Sequence, residues 1–94
     1  MKILAIEIEL KSIEEDTKSS LLKEEVQVVL ALYKKGFIKE IYFNEEHCAV
    51  IILECESIKS AKDALSKLPL VSKGYISFKV MGLNPYTGFE RLAE

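Results

Sequence analysis

The chain has 94 residues, 49% of them hydrophobic and 30% charged, with a formal charge of −2. That balance fits one folded domain over residues 1–94, excludes disorder along the whole chain, and lacks the basic footprint that nucleic-acid binding needs. No apolar run approaches the length of a membrane span, and Met1-Lys2 leads straight into a strand pattern. The expectation is therefore a cytoplasmic protein with neither nucleic acid nor membrane as a partner.

Residues 2–10 alternate, with Leu4, Ile6, Ile8 and Leu10 on one face and Ile3, Ala5, Glu7 and Glu9 on the other. This is a strand. Residues 11–17 are polar and offer Ser12 or Asp16 as a helix N-cap, with Ser12 and Glu15 at capping-box spacing. From about residue 15 to Lys35 the period becomes helical. Leu22, Val26, Val29, Leu30 and Tyr33 form a stripe that Leu21, Val28 and Leu32 widen. Lys18, Lys23, Lys34 and Lys35, offset by Glu24 and Glu25, read as the solvated face. Gly36 suits the position just past the helix end.

Residues 37–44 form a second strand, with Ile41 and Phe43 opposite in parity to Ile38, Glu40 and Tyr42. Asn44-Glu45-Glu46 turns the chain into a third strand at 48–56, apolar at both parities from Ala49 to Leu53. Cys48 and Cys55 lie on opposite faces of it, roughly 23 Å apart at ~3.3 Å per residue, too far for an intrachain disulfide. Ser57 caps a second helix that Pro69 stops. A fourth strand follows at 75–83, where Gly82 suggests a bulge. The tail at 85–94 carries Tyr86, Phe89 and Leu92 and is too apolar to be left free.

The order βαββαβ is the ferredoxin-like split arrangement, an α+β fold with both helices on one face of a four-stranded antiparallel sheet. Two helices cover one face only, whereas the third strand requires burial on both. A second copy of the chain is the simplest cover, giving a homodimer or a higher homo-oligomer across which the tail packs. The outward face is expected to carry Ile3, Ala5, Glu7 and Glu9; Ile38, Glu40 and Tyr42; Ala49, Ile51 and Leu53; and Tyr75, Ser77, Lys79 and Met81. Two such faces would enclose a partly polar cavity.

Leu68-Pro69-Leu70, the strand after it and Asn84-Pro85 resemble the C-terminal half of the muconolactone isomerase family. The helix ending at Gly36 and the segment 49–57 are placed as in that family, and the tail is similar to its uncharacterised bacterial members. The resemblance implies a dimeric α+β barrel, sometimes assembled into larger rings. It also implies proton transfer within an unsaturated lactone, with no metal and no organic cofactor. Glu7, Glu9 and Ile51 depart from the family's cavity lining.

The candidate site on the outward face pairs Glu7 with Lys79 across neighbouring strands as the catalytic residues, with Tyr42, Ser77, Glu9 and Tyr75 contacting a small carbonyl-bearing organic molecule. A desolvated carboxylate there could act as a general base, and an ammonium or phenol could stabilise the enolate. A cross-strand ion pair at a dimer rim is the alternative. His47, the only histidine, is expected at the surface or at the cavity mouth. A non-catalytic ligand-sensing or oligomeric interaction module accounts for the same residues without turnover.

Overall fold

The computed structural model describes residues 1–93. Its elements are β1 (Lys2–Glu9), α1 (Glu15–Lys34), β2 (Ile38–Phe43), β3 (Ala49–Glu54), α2 (Ile58–Leu65), α3 (Pro69–Ser72) and β4 (Ile76–Leu83), followed by a 3-10 helix over Gly88–Ala93. The four strands form one antiparallel sheet in the order β2-β3-β1-β4. The expected ferredoxin-like arrangement is thus present, with β1 and β3 central.

Helix ends follow local chemistry. Lys35 closes α1 and Gly36 takes φ +85°, so that Gly36 N–H donates to Tyr33 O (3.1 Å) and Phe37 N–H to Leu32 O (3.0 Å). This paired bonding satisfies carbonyls that the helix end would otherwise orphan. Ser57 caps α2 by accepting from Ser60 N–H at 3.0 Å. The expected Ser12 capping box does not form: α1 starts after Glu14, whose side chain makes no capping bond. Nor does Pro69 stop α2, which ends at Leu65; Pro69 instead opens the one-turn α3 at a position where its missing N–H costs nothing. Gly82 pairs with Ile3 in unbroken register, so β4 has no bulge there.

On the central strands β1 and β3 the two faces are the reverse of the sequence expectation, whereas Ser77, Lys79 and Met81 of β4 and Glu40 and Tyr42 of β2 face outward as expected. Ile3, Ala5, Ile38, Ile51 and Leu53 are all buried, packed in one cluster with Leu32 of α1 and with Ala61, Ala64, Leu65 and Leu68 of the α2 region. They face the helices. Leu4, Ile6, Val50 and Ile52 are half-buried on the opposite face, and Ile8 is exposed there. The register places Ile6 opposite Lys79 and Glu7 opposite Phe78. Directly paired residues share a face, so Glu7 lies on the helix side and Lys79 on the open side.

A register irregularity between Ile38 and Glu40 also changes β2. Pairing with β3 puts Ile38, Ile41 and Phe43 on the helix side, opposite Leu53, Ile51 and Ala49, and Glu40 and Tyr42 on the open side. The extra residue is what brings Ile38 into phase with Ile41. Helix α1 is rotated relative to the expected stripe as well. It buries Leu21 and Leu32 with Val28 and Val29 half-buried, and leaves Leu22, Val26, Leu30 and Tyr33 exposed. Cys48 and Cys55 are both free thiols, the latter buried.

Candidate functional site

Between α1 and the helix-facing side of the sheet lies a cavity of about 820 Å³. It occupies the end of the sheet where β1 finishes and β3 begins. The inner wall is apolar, formed by Val29, Ile51, Leu68, Leu70, Ile76 and Phe78. Leu22, Val26, Ile41 and Phe43 make an exposed apolar rim. Set into these walls are four carboxylates, Glu7, Glu9, Glu15 and Glu25, with Lys11, Lys18, Ser12 and Tyr75 beside them. A largely apolar hollow with a few polar groups is the usual build of a small-molecule site, and the volume falls within the range of about 300–1,000 Å³.

Two of the carboxylates are fixed by backbone amides. The β1–β3 ladder ends at the pair Ile6 and Val50, and one step further on the Ala49 N–H donates to Glu7 Oε1 at 3.0 Å. The half-buried Glu7 side chain thus stands in for the ladder where the strands part. From α1, Glu25 Oε1 accepts the Leu70 N–H at 3.0 Å. Leu68, which precedes α3, has no capping side chain, so Glu25 supplies from another element the acceptor that this N–H needs. In each case one carboxylate oxygen is held by a backbone amide.

Burial pushes the Glu25 carboxyl above its ordinary value of 4.5; the Leu70 amide pulls it back in part, and the charge of Glu7 pushes it up further. Glu7 and Glu25 are therefore an electrostatically coupled pair. A carboxyl whose neutral form is favoured by burial has the character of a general acid.

The residues singled out from the sequence fall into two groups. Glu7, Glu9, Tyr75 and His47 line the cavity, as does Tyr42 at its β2 edge. Ser77 and Lys79 do not: Ser77 pairs with Ile8 and Lys79 with Ile6, both on the open face. Lys79 therefore cannot meet Glu7 across the ladder, because a strand's neighbouring side chains point to opposite faces. Tyr42 donates its hydroxyl to Glu40 Oε1 at 2.7 Å, and that bond, then the Glu40 charge, pushes the phenol up. His47 sits in the β2–β3 turn at φ +62° with its ring stacked on Phe43, centroids 4.2 Å apart. The turn is held by Asn44 Oδ1, which accepts from Glu46 N–H and Cys48 N–H. Tyr75 lies under the Lys11 ammonium, 4.8 Å from the ring centre.

Glu25 is the residue that sequence reasoning missed. Its signal was its helical spacing: it stands four residues after Leu21, three before Val28 and seven before Leu32, in the middle of the stripe that is in fact buried. Among the described residues no group of three His, Cys, Asp or Glu side chains is arranged to hold a metal ion. No helix there is long and apolar enough to cross a membrane.

Compared by sequence, the chain matches no family model and no curated protein. Compared by structure, it is similar to the crystal structure of muconolactone isomerase, with a TM-score of 0.77 over 93% of this chain and 92% of that one, at 18% identity. The resemblance drawn from the sequence holds at the level of fold: this chain has the α+β fold of muconolactone isomerase.

Proposed function

We propose that the chain binds a small, mostly apolar carbonyl compound in the cavity between α1 and the sheet and moves a proton within it, with no organic cofactor. The coupled pair Glu7 and Glu25, set in apolar walls, is the observation that carries this function. Glu7, with one oxygen held by Ala49 N–H, takes a proton from the carbon at the far end of the conjugated system. The C–H electron pair moves onto the carbonyl oxygen as an enolate. Glu25, whose neutral form is favoured by burial, returns a proton at the carbon next to the carbonyl. One C–H bond breaks, another forms, and the double bond shifts; proton exchange between the carboxyls through solvent restores the starting state. The fold is shared with an isomerase named for a lactone, itself a carbonyl compound, which favours this chemistry over others.

The test is incubation with muconolactone in D2O, followed by proton NMR. Deuterium entering the carbon next to the carbonyl faster than in buffer, and lost in Glu7→Gln, is the expected result. Incorporation at the buffer rate overturns the proposal.

A homodimer forms part of the same proposal. Leu4, Ile6, Ile8, Val50 and Ile52 give the open face a continuous apolar centre. A second copy brings an identical patch to cover it. That patch also favours a second function, an oligomeric module that holds a ligand without turnover. Tight binding of muconolactone with no deuterium exchange would select it.

A further inference from the structure

The charges of the cavity do not balance. Four carboxylates, Glu7, Glu9, Glu15 and Glu25, line it against two ammonium groups, Lys11 and Lys18. Both cations are already engaged. Lys18 Nζ lies 3.9 Å from Glu15 Oε1, and Lys11 Nζ sits over the Tyr75 ring, 4.8 Å from its centre. The imidazole of His47 is stacked on Phe43. Among the described residues no arginine lines the walls.

The backbone donors that could receive an anion are occupied as well. Where the β1–β3 ladder ends, the Ala49 N–H goes to Glu7, and the Leu70 N–H goes to Glu25. An unpaired amide in such a wall is where the carboxylate of a ligand would find its hydrogen bonds. Here a carboxylate of the chain itself has that place in both cases. Helix α1 opens on Glu15 and Asp16, so its N-terminal amides also have the chain's own acids beside them. Burial, and in smaller measure the charge of Glu7, already push the Glu25 carboxyl up, and a further negative charge in the same hollow adds to that repulsion. The Tyr42 hydroxyl is committed to Glu40, which leaves the hydroxyls of Ser12 and Tyr75 as neutral donors. A neutral donor suits a carbonyl oxygen.

We infer that the cavity takes a carbonyl compound bearing no anionic group, and that a carboxylate on the ligand is selected against. The inference rests on the cavity being the ligand site proposed above, and it names the charge class of the substrate. Muconolactone carries a carboxylate on its lactone ring and is an anion at neutral pH. It can report proton transfer, but its uncharged carboxamide is the better ligand. At an effective dielectric of about 20, two like charges ~8 Å apart repel enough to weaken binding on the order of tenfold once salt has screened them.

The test compares the affinities of the wild-type chain for muconolactone and for its carboxamide, which has the same shape, by calorimetry at low and at high salt. The carboxamide is expected to bind about tenfold more tightly at low salt. That ratio should shrink several-fold at high salt, and likewise in Glu9→Gln, a change to an exposed side chain that puts folding at no risk. Equal affinities at low salt, or tighter binding of the anion, overturn the inference and leave the ligand site standing. A ratio that neither salt nor Glu9→Gln alters also overturns it, since the preference would then not come from charge. Failure of both compounds to bind removes the ligand-site proposal, and this inference with it.

Discussion

Replacing Glu25 by Gln isolates the energetics of the carboxylate pair. Glu25 has a folded-state pKa above 4.5, chiefly because burial disfavours its charge. A raised pKa means that the folded state binds the proton more tightly than the unfolded state does. Stability is therefore greatest while Glu25 is protonated. It falls as pH rises from about 4.5 through the raised value, and the loss is complete above it. Glu25→Gln carries no titrating proton and keeps an oxygen for the Leu70 N–H. The variant should match wild type below 4.5 and become progressively more stable than it as pH rises, reaching a plateau above the raised value. Glu25→Ala removes the acceptor as well. Leaving a part-buried amide unpaired costs about 1 kcal/mol, the low end of the usual 1–3, or ~4–8 °C in a chain of this size. Because neither variant titrates there, that gap should be independent of pH. Circular-dichroism melts between pH 4 and 8 read both effects. A difference between Glu25→Gln and wild type that stays flat with pH would refute the buried, Glu7-coupled placement; equal melting of the two variants would refute the capping role.

Other outcomes follow from the same geometry. Glu7→Gln should slow any deuterium exchange by about 100-fold or more, whereas Lys79→Met, on the far side of the sheet, should leave it unchanged; equal losses would place the chemistry on the open face. Ile8→Glu, 45% exposed in the free chain on a central strand of that face, should convert a dimer to a monomer in light scattering, and an unchanged mass would show that assembly uses another surface. Ser57→Ala should lower stability by about 1 kcal/mol through loss of the bond to Ser60 N–H, as measured in urea titrations.

The fold was legible in the sequence because each element carried a local signal: alternation in β1 and β4, helical spacing from residue 15, glycine at 36 and serine at 57. The facing of the central strands β1 and β3 was not legible. In β1 and β3 both parities are apolar, Ile3 and Ala5 against Leu4 and Ile6, and Ile51 and Leu53 against Val50 and Ile52. Alternation alone cannot then say which side meets the helices, and a one-residue difference in register exchanges the faces entirely. β4 held the better clue, since Ile76, Phe78 and Val80 belong in a core far more readily than Ser77 and Lys79. The site inherited that error. Glu7, Glu9, Tyr42, Tyr75 and His47 do converge at one end of the sheet, but on the helix side or its β2 edge. Glu25 was hidden because the exposed stripe of α1 is more continuously apolar than the buried one.

Amide chemical-shift mapping with muconolactone tests the central claim most directly. The Ala49 and Leu70 N–H groups are bonded to Glu7 and Glu25, so each reports on one of the two carboxylates. Ligand in the cavity between α1 and the sheet should shift both amides most strongly, with smaller changes at Val29 and Phe78 in its wall. Shifts centred instead on Ser77, Lys79 and Met81, with Ala49 and Leu70 unmoved, would put the ligand on the open face and contradict the account.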